Sequence, residues 1–171
     1  MRRLLTAHPQ FPSQAISRVE VEIARPAAGA LSLTYVVTGD IGALVLPAPA
    51  PARRTDELWR ATCFEAFVRP EPGAAYHEFN FAPSTQWAAY RFSDYRAGMA
   101  PLDIAPLDID VHRGDEGLTL HVSIPAAAPA RMALSAILEE TGGRKSYWAL
   151  AHPPGRPDFH HADGFAYELA P

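Results

Sequence analysis

Apolar and polar residues alternate along most of this chain, which is the pattern of strands that turn one face toward a core. The first two runs cover residues 16–23 and 31–37, and Ala27-Ala28-Gly29 between them predicts a turn. Further strands are predicted at residues 41–46, 58–69, 76–81, 87–92, 107–111, 118–124, 132–140, 147–150 and 164–169. Residues 132–140 also have the composition of a helix, but their alternation favours a strand.

Prolines cluster between the predicted strands. The chain contains 17 prolines, and each one removes a backbone donor and is excluded from helix interiors. Evenly spaced strands without intervening helices are typical of packed antiparallel sheets. We therefore predict an all-β fold, namely an antiparallel, jelly-roll-like β-sandwich of about nine or ten strands. A short helix near residues 94–99 or within 132–140 is the only helix compatible with the pattern.

Length and composition predict one domain. The 171 residues are 48% hydrophobic and 20% charged, which are ordinary values for a globular domain. No internal repeat or long linker divides the chain, so a single domain is expected to span residues 1–171. The formal net charge of −4 argues against a nucleic-acid partner, because binding to phosphates requires a basic surface.

The chain also carries indications of its cellular location. Cys63 is the single cysteine and cannot form an internal disulfide, so nothing indicates an oxidising compartment. Residues 1–12 have a charged head but lack the apolar stretch of ~7–15 residues of a secretory signal. No run approaches the ~18 apolar residues of a membrane span. These features predict a soluble, cytoplasmic protein without a membrane partner.

Residues 58–92 combine aromatic and polar side chains at high density. Nine aromatic residues fall within these 35 positions: Trp59, Phe64, Phe67, Tyr76, Phe79, Phe81, Trp87, Tyr90 and Phe92. Glu65, Glu78 and Asn80 lie among them. Aromatics at this density build sandwich cores, since each one buries ~150–250 Å². Aromatic faces beside carboxylates and amides also suit a flat, hydroxylated ligand, and a sugar is the obvious candidate.

Strand periodicity predicts a ligand site in this region. Residues an even number of positions apart share a face of a strand, so Trp59 and Glu65 are expected on one side of the strand at 58–69. Asn80 on the next strand would complete a polar floor below Trp59. In the alternative arrangement, Trp59 packs under the proline loop at 47–51 and Glu65 pairs with an arginine such as Arg53 or Arg60.

A second dense group of polar residues occupies residues 152–165. It contains His152, Asp158, His160, His161 and Asp163 in a loop rich in proline and glycine. Imidazoles and carboxylates at such spacing are potential ligands for Zn²⁺ or Fe²⁺. Histidines in a loop also hydrogen-bond backbone groups that otherwise lack partners. We expect His160, His161 and Asp163 to be structural or rim residues, and we predict no metal and no cofactor.

Signals for catalysis are sparse. Ser84 does not lie in a G-x-S-x-G nucleophile elbow. Cys63 lies between apolar neighbours, as expected of a buried hydrophobe rather than an activated thiolate. Glu65 and Glu78 could act as a glycosidase pair only if their carboxyl groups lay roughly 5–9.5 Å apart across a cleft. The sequence therefore predicts a protein that is not an enzyme.

Two motifs carry a resemblance to a known family. They are Leu58-Trp59-x3-Cys63-Phe64-Glu65-Ala66-Phe67 and Glu78-Phe79-Asn80-x2-Pro83-Ser84-x2-Trp87. This pattern resembles the DOMON-like β-sandwich family, which is related to the type 9 carbohydrate-binding module. Residues 147–153 and 157–161 are similar to motifs of an uncharacterised bacterial branch of that family. Together the motifs cover roughly residues 15–169.

The resemblance implies a non-catalytic carbohydrate-binding domain. In the sugar-binding modules, a tryptophan six positions before a strand glutamate contacts the sugar together with that glutamate, and Trp59 and Glu65 stand in this relation. Asn80 falls where the module has an arginine, and Phe159 falls near its second aromatic wall. His161 of the same loop completes the predicted set of ligand-binding residues.

Two alternatives to sugar binding remain. One follows from the same resemblance, and the other assigns the residues a purely structural role. Some members of the wider superfamily bind haem through Met and His, and Met99 would have to supply the methionine here. A haem- or metal-binding protein is therefore one alternative. A structural or partner-binding sandwich without a small ligand is the other.

Overall fold

The computed structural model describes residues 1–26 and 29–170. Its strands are β1 (Arg2–Ala7), β2 (Ile16–Ala24), β3 (Ala30–Gly39), β4 (Cys63–Pro70), β5 (Tyr76–Phe81), β6 (Trp87–Phe92), β7 (Ala100–Pro101), β8 (Ile109–Arg113), β9 (Gly117–Pro125), β10 (Ala130–Glu139), β11 (Lys145–Ala149) and β12 (Tyr167–Leu169). Helical structure in these described ranges is limited to three 3₁₀ turns, at Ile41–Ala43, Leu58–Arg60 and Ala162–Gly164. The predicted all-β class is confirmed, and about half of the chain is strand.

The strands form one curled antiparallel sheet. Its order is β7-β6-β5-β4-β10-β11-β1-β2-β3-β9-β8, and β12 pairs with β10. β1 joins the two halves of the sheet because Leu4 and Leu5 pair with β2, while Thr6 and Ala7 pair with β11. The continuity of the sheet through β1 is a feature that the sequence pattern did not predict.

The main core lies between the two halves of this curled sheet. Tyr35 on β3 is fully buried, and its ring centroid lies 5.1 Å from that of Phe64 on β4 and 6.3 Å from that of Phe81 on β5. The Tyr35 hydroxyl donates to the backbone carbonyl of Glu65 at 2.7 Å. These contacts bring β3 against β4 and β5, so each half of the sheet has an inner face in the core and an outer face.

Most predicted strands are present, including the ambiguous one. Residues 132–140 fall almost entirely within β10, so the alternation was a better guide than the helical composition. The strand predicted at 107–111 is shifted by two residues, because β8 begins at Ile109 and ends at Arg113. The predicted turn at Ala27-Ala28-Gly29 lies largely outside the described residues. The predicted number of strands was too low, since β1 and the two-residue β7 were missed.

Three predicted strands are wrong in whole or in part. Residues 41–46 begin with a 3₁₀ turn, because the Asp40 side chain accepts a hydrogen bond from the backbone N–H of Ala43 at 3.2 Å. The strand predicted at 58–69 begins only at Cys63, after a 3₁₀ turn that follows Glu57 at a φ of 62°. The closing strand shrinks to β12, since the chain before it makes a third 3₁₀ turn.

No helix among residues 1–26 and 29–170 is long and apolar enough to cross a membrane.

Candidate ligand-binding site

A cavity of about 390 Å³ lies on the outer face of the strands β4, β5, β6, β10 and β11. Alternation along the strands places it there. Phe64 and Phe79 point into the main core, whereas their neighbours Glu65 and Glu78 point to the other side and line the cavity. The full lining consists of Trp59, Glu65, Glu78, Phe92, Arg96, Met99, Ile137, Tyr147, Pro157, Phe159 and His160.

Strand register organises the cavity floor into rows of paired residues. Glu65 on β4 pairs with Asn80 on β5 and with Ser135 on β10. Side chains of paired residues lie side by side on one face of a sheet, so these three polar groups form one continuous row. The adjacent row pairs Phe67 with Glu78. This face of the sheet therefore carries carboxyl, amide and hydroxyl groups, and of these the two carboxyl groups line the cavity.

Glu65 is a buried carboxyl group with one open oxygen. It is only 3% exposed, and Ser135 Oγ donates to its Oε2 at 3.1 Å. No side chain of the described residues donates to Oε1. Burial raises the pKa of Glu65 to about 8, and repulsion from Glu78 adds to the rise. Glu65 is therefore mostly protonated at neutral pH, so that it can both donate and accept a hydrogen bond.

Glu78 accepts a hydrogen bond from Asn80, which lies two residues further along β5. Glu78 is 5% exposed, and Asn80 Nδ2 donates to its Oε1 at 2.8 Å. Burial raises the pKa of Glu78 as well. Asn80 itself is fully buried and does not line the cavity, and Cys63 Sγ approaches its Oδ1 at 3.8 Å. The sequence placed Asn80 in the floor as a ligand contact, whereas in the structure it lies next to Glu78 on the same face of β5, outside the cavity lining, and orients that carboxyl group.

His160 forms the side of the cavity next to Glu78. Burial lowers the pKa of His160 to about 4, with a further contribution from Arg96, so its imidazole is neutral. Its Nδ1 lies 2.7 Å from the Tyr76 hydroxyl. Its Nε2 lies 3.7 Å from Glu78 Oε2, beyond direct hydrogen-bond distance. Glu78 Oε2 is thus the second carboxyl oxygen of the floor without a close donor among the described residues.

Asp158 holds two loops together at the mouth of the cavity. Arg96 Nη2 donates to Asp158 Oδ1 at 2.7 Å, and the Tyr95 hydroxyl donates to Oδ2. Asp158 Oδ1 also accepts from the backbone N–H of His160 at 3.1 Å. Arg96 has a φ of 52°, a left-handed conformation that costs energy in a non-glycine residue. The Asp158 contacts hold Arg96 in this conformation and so shape the cavity wall.

Two half-buried aromatic side chains form walls of the cavity. Trp59 projects from the 3₁₀ turn at Leu58–Arg60 and packs edge-on against Tyr90, with ring centroids 6.4 Å apart. Phe159 comes from the loop before β12, and its ring centroid lies 6.2 Å from that of Tyr147. Both rings line the same cavity as Glu65. Their roles as ligand-binding residues stay a prediction, but the structure brings the three together.

Trp59 reaches this position by a different route from the one predicted. It does not lie on β4, so the argument from even spacing along a strand was wrong for this residue. The alternative arrangement also fails in one part, because the described hydrogen-bond partner of Glu65 is Ser135 rather than an arginine.

His161 lies outside the cavity, in contrast to its neighbour His160. The Nδ1 of His161 accepts from the backbone N–H of Asp163 at 3.2 Å and so caps the 3₁₀ turn at Ala162–Gly164. His161 lines an adjacent cavity of about 290 Å³, which shares only His160 with the first. His152 donates from Nε2 to the carbonyl of Thr6 on β1. Within the described ranges, no three His, Cys, Asp or Glu residues are grouped to hold a metal ion.

Sequence reasoning missed several lining residues. Arg96 and Tyr147 were not considered as site residues, and Met99 was considered only as a haem ligand, although all three line the cavity. Tyr147 had a usable signal, since it alternates with the buried Trp148 on a predicted strand and so faces the outer side. Arg96 lies in a loop, and no periodicity indicates the direction of its side chain.

Comparison with known proteins establishes the fold. No protein-family model matches the chain, and no curated protein sequence matches it. A solved structure from Bacteroides uniformis, provisionally described as a carbohydrate-binding protein, is similar with a TM-score of 0.69 and 16% identity, covering 96% of this chain and 83% of that one. A family 9 carbohydrate-binding module from Caldicellulosiruptor kristjanssonii, solved with cellotriose, is similar with a TM-score of 0.58 and 11% identity, covering 91% of this chain and 74% of that one. This chain therefore has the fold of family 9 carbohydrate-binding modules.

Proposed function

We propose that this protein is a non-catalytic carbohydrate-binding domain that takes a sugar ring into the 390 Å³ cavity. The observation that carries the proposal is the convergence of Trp59 and Phe159, from two separate segments, on a floor that contains the buried carboxyl group of Glu65. Cavities of ~300–1,000 Å³ with apolar walls and a few placed polar groups are typical small-ligand sites.

The chemistry of the cavity suits a hydroxylated ring. An aromatic side chain offers an apolar face to the C–H groups of a sugar, and Trp59 and Phe159 supply such faces. Glu65 Oε1 and Glu78 Oε2 lack close donors among the described residues. Both glutamates line the cavity, and sugar hydroxyls would hydrogen-bond to these oxygens there. Asn80 contributes indirectly, by orienting Glu78.

Two solved structures support the proposal at the level of the fold. The family 9 module from Caldicellulosiruptor kristjanssonii was solved with cellotriose, and the Bacteroides uniformis protein is provisionally described as carbohydrate-binding. We also propose that the two halves of the curled sheet correspond to the layers of a jelly-roll-like, DOMON-type sandwich. A cytoplasmic location, which the single Cys63 favours, is part of the same proposal.

The carboxyl pair supports binding rather than hydrolysis. A glycosidase needs one protonated carboxyl group and one ionised carboxylate that acts as base or nucleophile. Burial raises the pKa of both Glu65 and Glu78, whereas a catalytic carboxylate is kept ionised by polar, solvated surroundings. We expect no hydrolysis of chromogenic glycosides by the purified protein, measured as release of the nitrophenol group.

Calorimetric titration with a panel of mono- and oligosaccharides tests the proposal. Trp59→Ala should weaken the binding of any sugar that binds the wild type by at least about tenfold, because stacking on the indole is lost. Glu65→Ala should weaken it similarly. Glu116→Ala, which changes an exposed carboxylate remote from the cavity lining, should leave it unchanged.

Two results would lead us to abandon carbohydrate binding. One is the absence of binding by every sugar in the panel. The other is binding that survives both Trp59→Ala and Glu65→Ala in variants that retain a cooperative unfolding transition.

A further inference from the structure

Two carboxyl groups dominate the polar surface of the cavity. Glu65 and Glu78 lie on neighbouring strands, and both are more than nine-tenths buried. Ser135 donates to Glu65 Oε2, and Asn80 donates to Glu78 Oε1. The other two oxygens, Glu65 Oε1 and Glu78 Oε2, receive no close hydrogen bond from the described residues. Both carboxyl groups line the cavity, so a ligand that supplies hydrogen-bond donors would pair with these two oxygens in place of water.

Arg96 is the cation on the cavity wall, and its charge acts to lower the pKa of Glu65 and of Glu78 against the larger effect of burial. Arg96 is also paired with Asp158 at 2.7 Å, so the charges of Arg96 and Asp158 largely offset each other. His160 is neutral, because burial lowers its pKa to about 4. Burial raises the pKa of Tyr76 and of Cys63, so both stay protonated and uncharged. The pair is therefore a site of unbalanced negative charge whenever either carboxyl group ionises.

Aromatic rings surround the carboxyl pair. Trp59, Phe92, Tyr147 and Phe159 all line the same cavity. The face of an aromatic ring carries partial negative charge and attracts a cation, most strongly where water is excluded. The aromatic walls and the two carboxyl groups thus favour a positively charged ligand, whereas Arg96, which is paired with Asp158, opposes it.

We propose that the sugar bound in this cavity is an amino sugar, with its protonated amine at Glu65 and Glu78 and its ring against Trp59 and Phe159. The inference rests on the proposed function, because it names the class of sugar that the same cavity takes. A neutral sugar offers only hydroxyl donors to the pair. An ammonium group forms charge-assisted hydrogen bonds to both carboxylates and removes the repulsion between them.

Binding of an amino sugar should release a proton from Glu65, and calorimetry can detect this release independently of the affinity. Burial and the neighbouring Glu78 raise the pKa of Glu65 to about 8 in the free protein. At about pH 6 the carboxyl group holds its proton, and the amine of the ligand is protonated too. When the ammonium group binds, Glu65 becomes a carboxylate and its proton passes to the buffer. A neutral sugar does not favour this ionisation.

Calorimetry with glucosamine, glucose and N-acetylglucosamine, in two buffers of different ionisation enthalpy, tests the inference. At about pH 6 we expect glucosamine to bind about tenfold more tightly than the two uncharged sugars. Its observed binding enthalpy should differ between the buffers, which indicates proton release, and that of glucose should not. Glu78→Gln should abolish the preference for glucosamine. Glu116→Gln, which neutralises an exposed carboxylate, should preserve it.

The outcomes separate this inference from the proposed function. If glucose binds as tightly as glucosamine, carbohydrate binding stands and the amino-sugar inference is overturned. If ethanolamine, which carries the ammonium group without the ring, binds as tightly as glucosamine, the cavity does not select a sugar and the inference is likewise wrong. If none of the three sugars binds, the amino-sugar inference is wrong, and carbohydrate binding fails with it only if every other sugar of the panel also fails to bind. These comparisons use the wild-type protein, so they hold even if Glu78→Gln does not fold.

Discussion

Replacing Glu65 by glutamine should change how the stability of this protein depends on pH. The side chain is 3% exposed, and burial raises its pKa from an ordinary 4.5 to about 8. Each pKa unit corresponds to about 1.4 kcal/mol. The difference in pKa therefore lowers the free energy of unfolding by roughly 5 kcal/mol at a pH where Glu65 is ionised in both the folded and the unfolded protein. Glutamine keeps the shape of the side chain but does not titrate.

The direction of the effect follows from proton binding. The folded protein holds the Glu65 proton more tightly than the unfolded chain does. The wild type is therefore free of this penalty below about pH 4.5 and loses stability as the pH rises from 4.5 to 8. We expect the free energy of unfolding of Glu65→Gln, minus that of the wild type, to rise by about 3 kcal/mol between pH 5 and 8.

His160 has the opposite effect on stability, since it makes the free energy of unfolding rise with pH. Burial lowers its pKa from 6.5 to about 4, so its cost to stability disappears as the pH rises through that interval. Both proteins carry His160, and its contribution cancels in the difference. Urea unfolding followed by tryptophan fluorescence measures both curves, with the exposed Glu116→Gln as the control that should show a constant difference. A constant or falling difference for Glu65→Gln would refute the reasoning.

Other substitutions test the core and the loops around the cavity. Tyr35→Phe should lower the free energy of unfolding by about 1–2 kcal/mol, because it removes the buried hydrogen bond to the Glu65 carbonyl; an unchanged urea midpoint would show that this bond contributes nothing. Phe64→Ala should cost about 3–5 kcal/mol in the same assay, as expected for a cavity in the core, and a loss below about 1 kcal/mol would contradict its placement. Asp158→Ala should cost about 1–2 kcal/mol and weaken sugar binding, because it releases Arg96 and Tyr95. Asp110→Ala, which removes an exposed hydrogen bond to His112, should stay within about 0.5 kcal/mol of the wild type; equal effects of the two aspartate variants would disprove the role of Asp158.

Much of the fold could be predicted because strand alternation is a local property. A side chain in a strand points to the face opposite its neighbours, so a row of apolar residues indicates the core side directly. This is why β10 was identified as a strand despite its helical composition. β1 escaped detection because Arg2 and Arg3 resemble a polar tail. Its partner β2 provides Glu22, whose ion pair with Arg2 becomes visible only when the strands are paired.

The candidate site was only partly predictable. Glu65 was predicted to line the ligand site, and Glu78 was considered only as its partner in a glycosidase pair; both lie on strands, where alternation sets the direction of the side chain. Asn80 was predicted to contact the ligand, but it bonds to Glu78 and does not line the cavity. Trp59 lines the cavity together with Glu65, but a 3₁₀ turn rather than a strand presents it.

The all-β class, the positions of most strands and the outward direction of the Glu65 carboxyl group could all be predicted from the amino-acid sequence. All three depend on the two-residue period of a strand, which operates within a few residues of chain. The role of β1 in joining the two halves of the sheet, and the position of His160 rather than His161 in the cavity, depend on tertiary contacts. Loops have no period, so the direction of a loop side chain depends on contacts with distant segments, such as the Arg96–Asp158 ion pair that anchors the loop next to His160.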